Sequence, residues 1–186
     1  MSNVQKQTDI VILTDLTGQG IGEKEKIAAH QTPCLHRAFS VFIYHQNQML
    51  IQQRALDKYH SGGLWANTCC SHPRPGEDTK NAAIRRLQEE TGIFQPHLKE
   101  IFAFPYYHQF GPNLFEYEFD HVFLGEYTPY QDVDQIPFDP KEIAALRWVP
   151  FSALLTEMQQ NPQYYAPWFH IAAPLVIQYL KKQTLS

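Results

Sequence analysis

The sequence predicts an α/β fold, a mixed β-sheet sandwiched between helices, with an N-terminal extension and C-terminal helices. Three observations predict it. Short runs rich in β-branched and aromatic residues alternate with segments of helical period. Several neighbouring runs are separated only by turn-type residues, which makes them antiparallel. The length, 186 residues, suits one domain with a full core, read here as residues 1–186 with its core at about 36–150.

The elements follow in order. Asp9–Thr14 is an apolar run that ends at a glycine-bearing turn, Thr17–Gly22. Its glycines lack the spacing of a dinucleotide loop, so a hairpin or loop is expected. Phe39–Tyr44, Gln46–Gln48 and Met49–Arg54 read as strand, turn and strand. Lys58–Gly63 reads as a loop whose Gly62-Gly63 pair turns the chain into a short strand, Leu64–Thr68. Pro73 and Pro75 exclude helix there. Thr79 reads as a cap, followed by a helix with Ala82, Ile84 and Leu87 that stops at Gly92. Ile101–Phe104 and Phe115–Phe123 read as paired strands around the turn chemistry of Gln109–Asn113. Tyr127–Pro140 is a proline-bearing connection. A last strand at Ile143–Val149, a short helix at Phe151–Gln159 and a terminal helix ending near Lys182 complete the chain. No repeat, low-complexity tract or linker interrupts it.

Composition narrows the function classes. Apolar residues make up 44% and charged residues 18%, as in an ordinary water-soluble globule. A net charge of −4 and a pI of about 6.1 argue against a nucleic-acid surface. The first nine residues lack the apolar core of a signal peptide, and no segment approaches a membrane span. Cys34, Cys69 and Cys70 are odd in number, and two are adjacent, which is not a disulfide framework. A cytoplasmic protein with no membrane, nucleic-acid or obligate protein partner is expected.

Chemistry concentrates between residues 65 and 92. Glu77, Arg85, Glu89, Glu90 and Gly92 have the spacing of a Nudix box, a loop–helix–loop that gathers carboxylates around a divalent cation. Arg86 and Glu90 are four apart and share one helical face, as do Arg85 and Glu89. Carboxylate oxygens suit Mg²⁺, and Mg²⁺ suits diphosphate. The box departs from the hydrolase pattern twice. Ser71 replaces its first Gly, and Arg86 replaces a Glu that hydrolases use for metal and water activation. A guanidinium there would hold phosphate instead. Nearby, His30, His36 and His72 lie near expected turns or strand edges, and Glu116 and Glu118 point to one face of a strand. Three imidazoles and two carboxylates would suit Mn²⁺ or Mg²⁺, although imidazole-rich sites also take Zn²⁺.

Lys26–His36, Arg54–Lys58, Trp65–Pro73 (Trp-Ala-Asn-Thr-Cys-Cys-Ser-His-Pro) and Glu116-Tyr-Glu118 together resemble type I isopentenyl-diphosphate isomerases, from about residue 8 to about residue 172. The Ser71 and Arg86 departures are typical of that family. The resemblance implies a Nudix-like fold and interconversion of isopentenyl and dimethylallyl diphosphate through a tertiary carbocation. It implies Cys70 and Glu118 as the catalytic pair, with Tyr106 beside the glutamate and Trp168 above the reacting carbons. It implies His30, His36, His72, Glu116 and Glu118 as metal ligands, and Glu90 with the Cys70 carbonyl as the hold on the Mg²⁺ of the diphosphate. Lys26, Arg54, Lys58 and Arg86 match the basic residues around that group. Which of Cys70 and Glu118 is the acid stays open. The alternatives are a Nudix pyrophosphohydrolase, against which Arg86 speaks, and a non-catalytic diphosphate-binding module, against which the Cys70–Glu118 pair speaks.

Overall fold

The computed structural model describes residues 9–128 and 132–183. The signal-peptide question at the first residues and part of the Tyr127–Pro140 connection fall outside that range.

Nine strands form one mixed sheet among the described residues. β1 (Ile10–Thr14) and β2 (Gly20–Glu25) pair as the expected hairpin. β3 (His36–His45) turns at Gln46 into β4 (Gln48–Arg54). β5 (Trp65–Asn67) and β6 (Cys69–Ser71) follow, then α2 (Thr79–Thr91) after the earlier α1 (Lys26–Gln31). β7 (Lys99–Gly111) and β8 (Leu114–Glu126) are a long antiparallel pair. β9 (Ile143–Pro150), α3 (Phe151–Gln160) and α4 (Pro167–Gln183) end the fold. β3 is central, with β8 parallel along one side and β1, β6 and β4 antiparallel along the other.

Strand alternation assigns each residue to a face. Phe39, Val41, Ile43, Leu50, Cys69 and Phe123 pack with Ala82, Ala83 and Leu87 of α2. Phe42, Met49, Ile51, Val122 and Leu124 pack on the other face with Trp168, Phe169, Ala172 and Val176 of α4 and Leu154 of α3. The sheet therefore lies between α2 and the C-terminal pair of helices, as the sequence predicts.

Four local expectations are corrected. The helix cap is Asp78, not Thr79: its side chain accepts from Asn81 N at 2.9 Å, and Thr79 is already helical. The Leu64–Thr68 strand is broken at Thr68. That hydroxyl donates to Leu50 O and accepts from Ile43 N, filling the place of a backbone group while the chain changes partner from β4 to β3. The β7–β8 turn is tighter than Gln109–Asn113, since β7 runs to Gly111 and β8 resumes at Leu114. Finally, α1 was not visible as a helix; at six residues it has too few turns to show a period. The Glu25 side chain caps it by accepting from Ile27 N and Ala28 N. His30 thus lies in the last turn of this helix, just before the turn at residues 32–33.

The 55–63 loop is held closed at its base by Arg54 N to Leu64 O and Gly63 N to Arg54 O. A Cβ on Gly62 would meet Leu56 O at 2.6 Å, so only glycine allows this tight return. The loop carries His60 to Glu116 at the start of β8 and Lys58 to Glu142 just before β9. No helix of the described residues is long and apolar enough to cross a membrane.

Candidate active site

Register brings the predicted residues together. His36 of β3 is level with Glu118 of β8, and Ser40 of β3 is level with Cys70 of β6. Tyr106 of β7 lies opposite Glu118 on the other side of β8. Glu116, Glu118 and Asp120 alternate onto the face that also holds Phe42 and Val122. A cavity of about 340 Å³ opens there, lined among others by Lys26, Arg54, Cys70, His72, Glu118 and Trp168.

His30, His36, His72 and Glu118 form one cluster, their ligand atoms all within 4.8 Å of one another. His72 Nε2 is 3.0 Å from Glu118 Oε1, and the Nε2 atoms of His36 and His30 are 3.7 and 3.9 Å from it. His30 Nδ1 donates to Lys26 O and His36 Nδ1 to Cys34 O, both at 2.8 Å. A carbonyl only accepts, so each Nε2 presents its lone pair inward. His36 and His72 Nε2 are nonetheless 3.2 Å apart, and the buried His30 Nε2 has no hydrogen-bond partner. Converging lone pairs, one carboxylate and backbone-anchored imidazoles fit a divalent cation.

Protonation follows environment. Burial pushes His30 below its usual value and His72 down to about 3. Burial opposes ionisation of Glu118, but the imidazoles around it, His36 close by and His72 hydrogen-bonded to it, outweigh burial and hold this carboxyl well below the ordinary range. Glu116 shifts the other way, through burial and then the Glu118 charge. Glu116 is not part of the four-residue cluster. It shares the face of Glu118, but its Oε1 lies 3.1 Å from His60 Nδ1.

The two adjacent cysteines face opposite ways. Cys69 is fully buried in the α2 core, whereas Cys70 lines the cavity. Arg54 Nη1 donates to Cys70 Sγ at 3.2 Å. Burial still dominates and pushes the Cys70 thiol up to about 12, so it stays protonated at neutral pH. Trp168 is buried; its Nε1 donates to Asn67 Oδ1 at 2.9 Å, and Arg54 Cζ sits 5.3 Å from the ring centroid. Arg54 is thus placed between the thiol and the tryptophan, deeper than a residue serving diphosphate alone. The Tyr106 hydroxyl is buried without a partner, its ring 6.5 Å from Trp168.

Lys26, Lys58 and Arg86 line the same cavity, as does the carboxylate-bearing turn before β9. Arg86 Nη2 donates to Glu90 Oε1 at 2.6 Å and contacts Glu142 Oε1 at 3.1 Å. Lys58 is ion-paired with the same Glu142. Burial pushes the Glu90 carboxyl up, against the pull of Arg86. Arg85 grips Glu77 with two hydrogen bonds, 2.7 and 2.8 Å, which ties the helix to its entry loop. Sequence reasoning missed Tyr59, His60 and Glu142. None belongs to a motif, and Glu142 meets Lys58 across 84 residues of chain, so only the β4–β9 pairing reveals it.

Comparison with known proteins agrees with this geometry. A family model described as NUDIX domain matches residues 35–169. The chain is 43% identical over 171 residues to isopentenyl-diphosphate Delta-isomerase 2 of Aromatoleum aromaticum, covering 91% of this chain and 87% of the relative. It is 45% identical over 161 residues to isopentenyl-diphosphate Delta-isomerase of Burkholderia multivorans, covering 86% and 88%. In three dimensions it resembles a solved protein of Deinococcus radiodurans with TM-score 0.63 at 18% identity, over 82% of this chain and 90% of the other. At that identity the likeness speaks for the fold. The chain belongs to the NUDIX domain family and, within it, to the isopentenyl-diphosphate Delta-isomerases.

Proposed function

We propose that this protein interconverts isopentenyl and dimethylallyl diphosphate, with Cys70 and Glu118 as its proton-transfer pair. The observation that carries the reading is the Cys70 thiol, kept protonated by burial, and the histidine-held Glu118 carboxylate lining one cavity with the four cations Lys26, Arg54, Lys58 and Arg86.

Moving an unactivated double bond requires a proton at the terminal carbon and loss of another from C2. One member of the pair gives, the other takes, and a tertiary cation lies between. After one turnover both have exchanged protonation state, so they reset by the reverse reaction or through solvent. Tyr106 is level with Glu118, and its unpartnered hydroxyl leaves a donor available to the carboxyl during proton transfer. Trp168 offers ring surface to the cation. Lys26, Arg54, Lys58 and Arg86 neutralise the diphosphate end.

His30, His36, His72 and Glu118 would hold Mn²⁺ or Mg²⁺, or Zn²⁺ by their imidazole content, and Glu116 would join them as a fifth ligand by turning away from His60; Glu90 and the Cys70 carbonyl would hold Mg²⁺ on the diphosphate. Such ions would orient Glu118 and offset phosphate charge. The reading needs only a small-molecule isoprenoid diphosphate as partner. It places the protein in the cytoplasm, where the three free thiols would persist.

Incubation with isopentenyl diphosphate in D₂O, followed by NMR, tests it. Dimethylallyl product with deuterium in its methyl group is expected. Phosphate release would mean a pyrophosphohydrolase, and bound but unchanged substrate a non-catalytic module.

A further inference from the structure

We propose that Glu142 is an internal counter-ion at the diphosphate end of the pocket and is exchanged for the substrate's diphosphate. This rests on the isomerase reading, and concerns a residue to which neither the box nor the resemblance assigns a role. Its carboxylate bridges Lys58 and Arg86, two cations assigned to that group. Hydrogen bonding and charge from both partners hold its carboxyl below the usual range against burial.

Three features make the bridge exchangeable. First, the three side chains are accessible, at 23% for Lys58, 23% for Arg86 and 26% for Glu142. Glu90, the other carboxylate on Arg86, is by contrast only 3% exposed and fixed in a helix. Secondly, the backbone at Glu142 is secured independently of its carboxylate. Its N–H donates to Asp139 O and its carbonyl accepts from Ala55 N, each at 2.9 Å, while Asp139 N donates to Glu90 O at 2.8 Å. The carboxylate can leave by side-chain rotation without moving β9 or the 55–63 loop. Thirdly, the pocket gathers cations that call for a counter-charge. Lys26, Lys58 and Arg86 line one cavity, so the three like charges disfavour one another. Glu142 relieves that repulsion in the free protein and keeps Lys58 and Arg86 extended toward the place a diphosphate would take. Exchange by a more highly charged anion with more acceptor oxygens is favourable. The displaced carboxylate lowers net affinity by the strength of two accessible ion pairs.

Titration calorimetry with inorganic diphosphate, in chelator without divalent metal, measures this directly on the wild type and Glu142→Gln. Gln keeps the shape, removes the competing charge, and is expected to bind diphosphate about three- to tenfold more tightly. With isopentenyl diphosphate the gain is expected in KM and not in kcat, because the competition is relieved equally for ground and transition states. A structure of the wild type with diphosphate is expected to show the Glu142 carboxylate away from both cations. Unchanged or weaker diphosphate binding by the variant would overturn the proposal and make Glu142 a structural or metal-binding group. So would a bridge that persists beside bound diphosphate. Either result, in a protein that isomerises its substrate, counts against Glu142 alone. A wild type that neither binds nor converts isopentenyl diphosphate counts against the isomerase reading.

Discussion

Arg54 donates from Nη1 to Cys70 Sγ at 3.2 Å, in a site whose burial keeps the thiol protonated. The neighbouring Cys69 is turned to the opposite face and packs under α2. Cys70→Ala is therefore expected to lower isomerisation by at least about 10²–10⁴-fold, the usual contribution of a positioned acid or base. Cys69→Ala should keep activity and cost roughly 1 kcal/mol of stability through lost core volume. A dead Cys69→Ala beside an active Cys70→Ala would reverse the assignment.

The same electrostatics orders the thiols by reactivity. Burial opposes ionisation of Cys34, but hydrogen bonds from Thr32 and Lys24 more than offset it and lower its value. Alkylation at pH 8, followed by peptide mass spectrometry, should label Cys34 first, Cys70 slowly and Cys69 last. Fast labelling of Cys70 would show that Arg54 outweighs burial.

Histidine burial sets an acid limit on stability. Burial pushes His72 to about 3 and His60 to about 2, so both fold neutral and must resist protonation. A depressed folded value means that their contribution is complete above the unfolded value near 6.5 and is lost as pH falls below it. Each adds a slope of up to about 1.4 kcal/mol per pH unit. Metal-free protein should show a lower urea midpoint at pH 5 than at pH 7.5. Mn²⁺ or Zn²⁺ at pH 7.5 should raise the melting temperature, and His72→Ala should remove that gain. A midpoint independent of pH would mean that these imidazoles are not desolvated.

Glu90 is buried at the end of α2 and held by Arg86 at 2.6 Å. Glu90→Gln should raise the Mg²⁺ concentration needed for half-maximal activity and weaken substrate binding, because Mg²⁺ on a diphosphate draws on few protein carboxylates. Unchanged Mg²⁺ dependence would exclude the role.

Trp168 is anchored through Nε1 to Asn67, a bond that both Phe and Leu remove. The comparison of Trp168→Phe with Trp168→Leu therefore isolates the aromatic face. Phe is expected to retain up to about tenfold more activity, the range of a desolvated cation–π contact. A tertiary ammonium analogue should bind more tightly than substrate. Equal activity of the two variants would make Trp168 packing alone.

Much of this protein is determined locally. The period-2 runs of β3, β4 and β8 and the Gly92 stop of α2 depend on neighbours in sequence, so the α/β class is legible without a structure. The Arg86–Glu90 pair is legible for the same reason, since four residues close one helical turn. The string around Cys70 and the Glu116-Tyr-Glu118 triplet carry the family. What the tertiary structure alone decided depends on pairings across long separations. The parallel register of β3 with β8 brings His36 to Glu118, and the partner change at Thr68 turns Cys70 to the cavity while Cys69 enters the core. The β4–β9 ladder brings Glu142 to Lys58. Helix α1 forms because Glu25 caps it, and it carries His30 into the cluster. Local chemistry chose which residues could act; the long-range ladders, whose loop-closure cost is met only by the whole core, chose which of them meet.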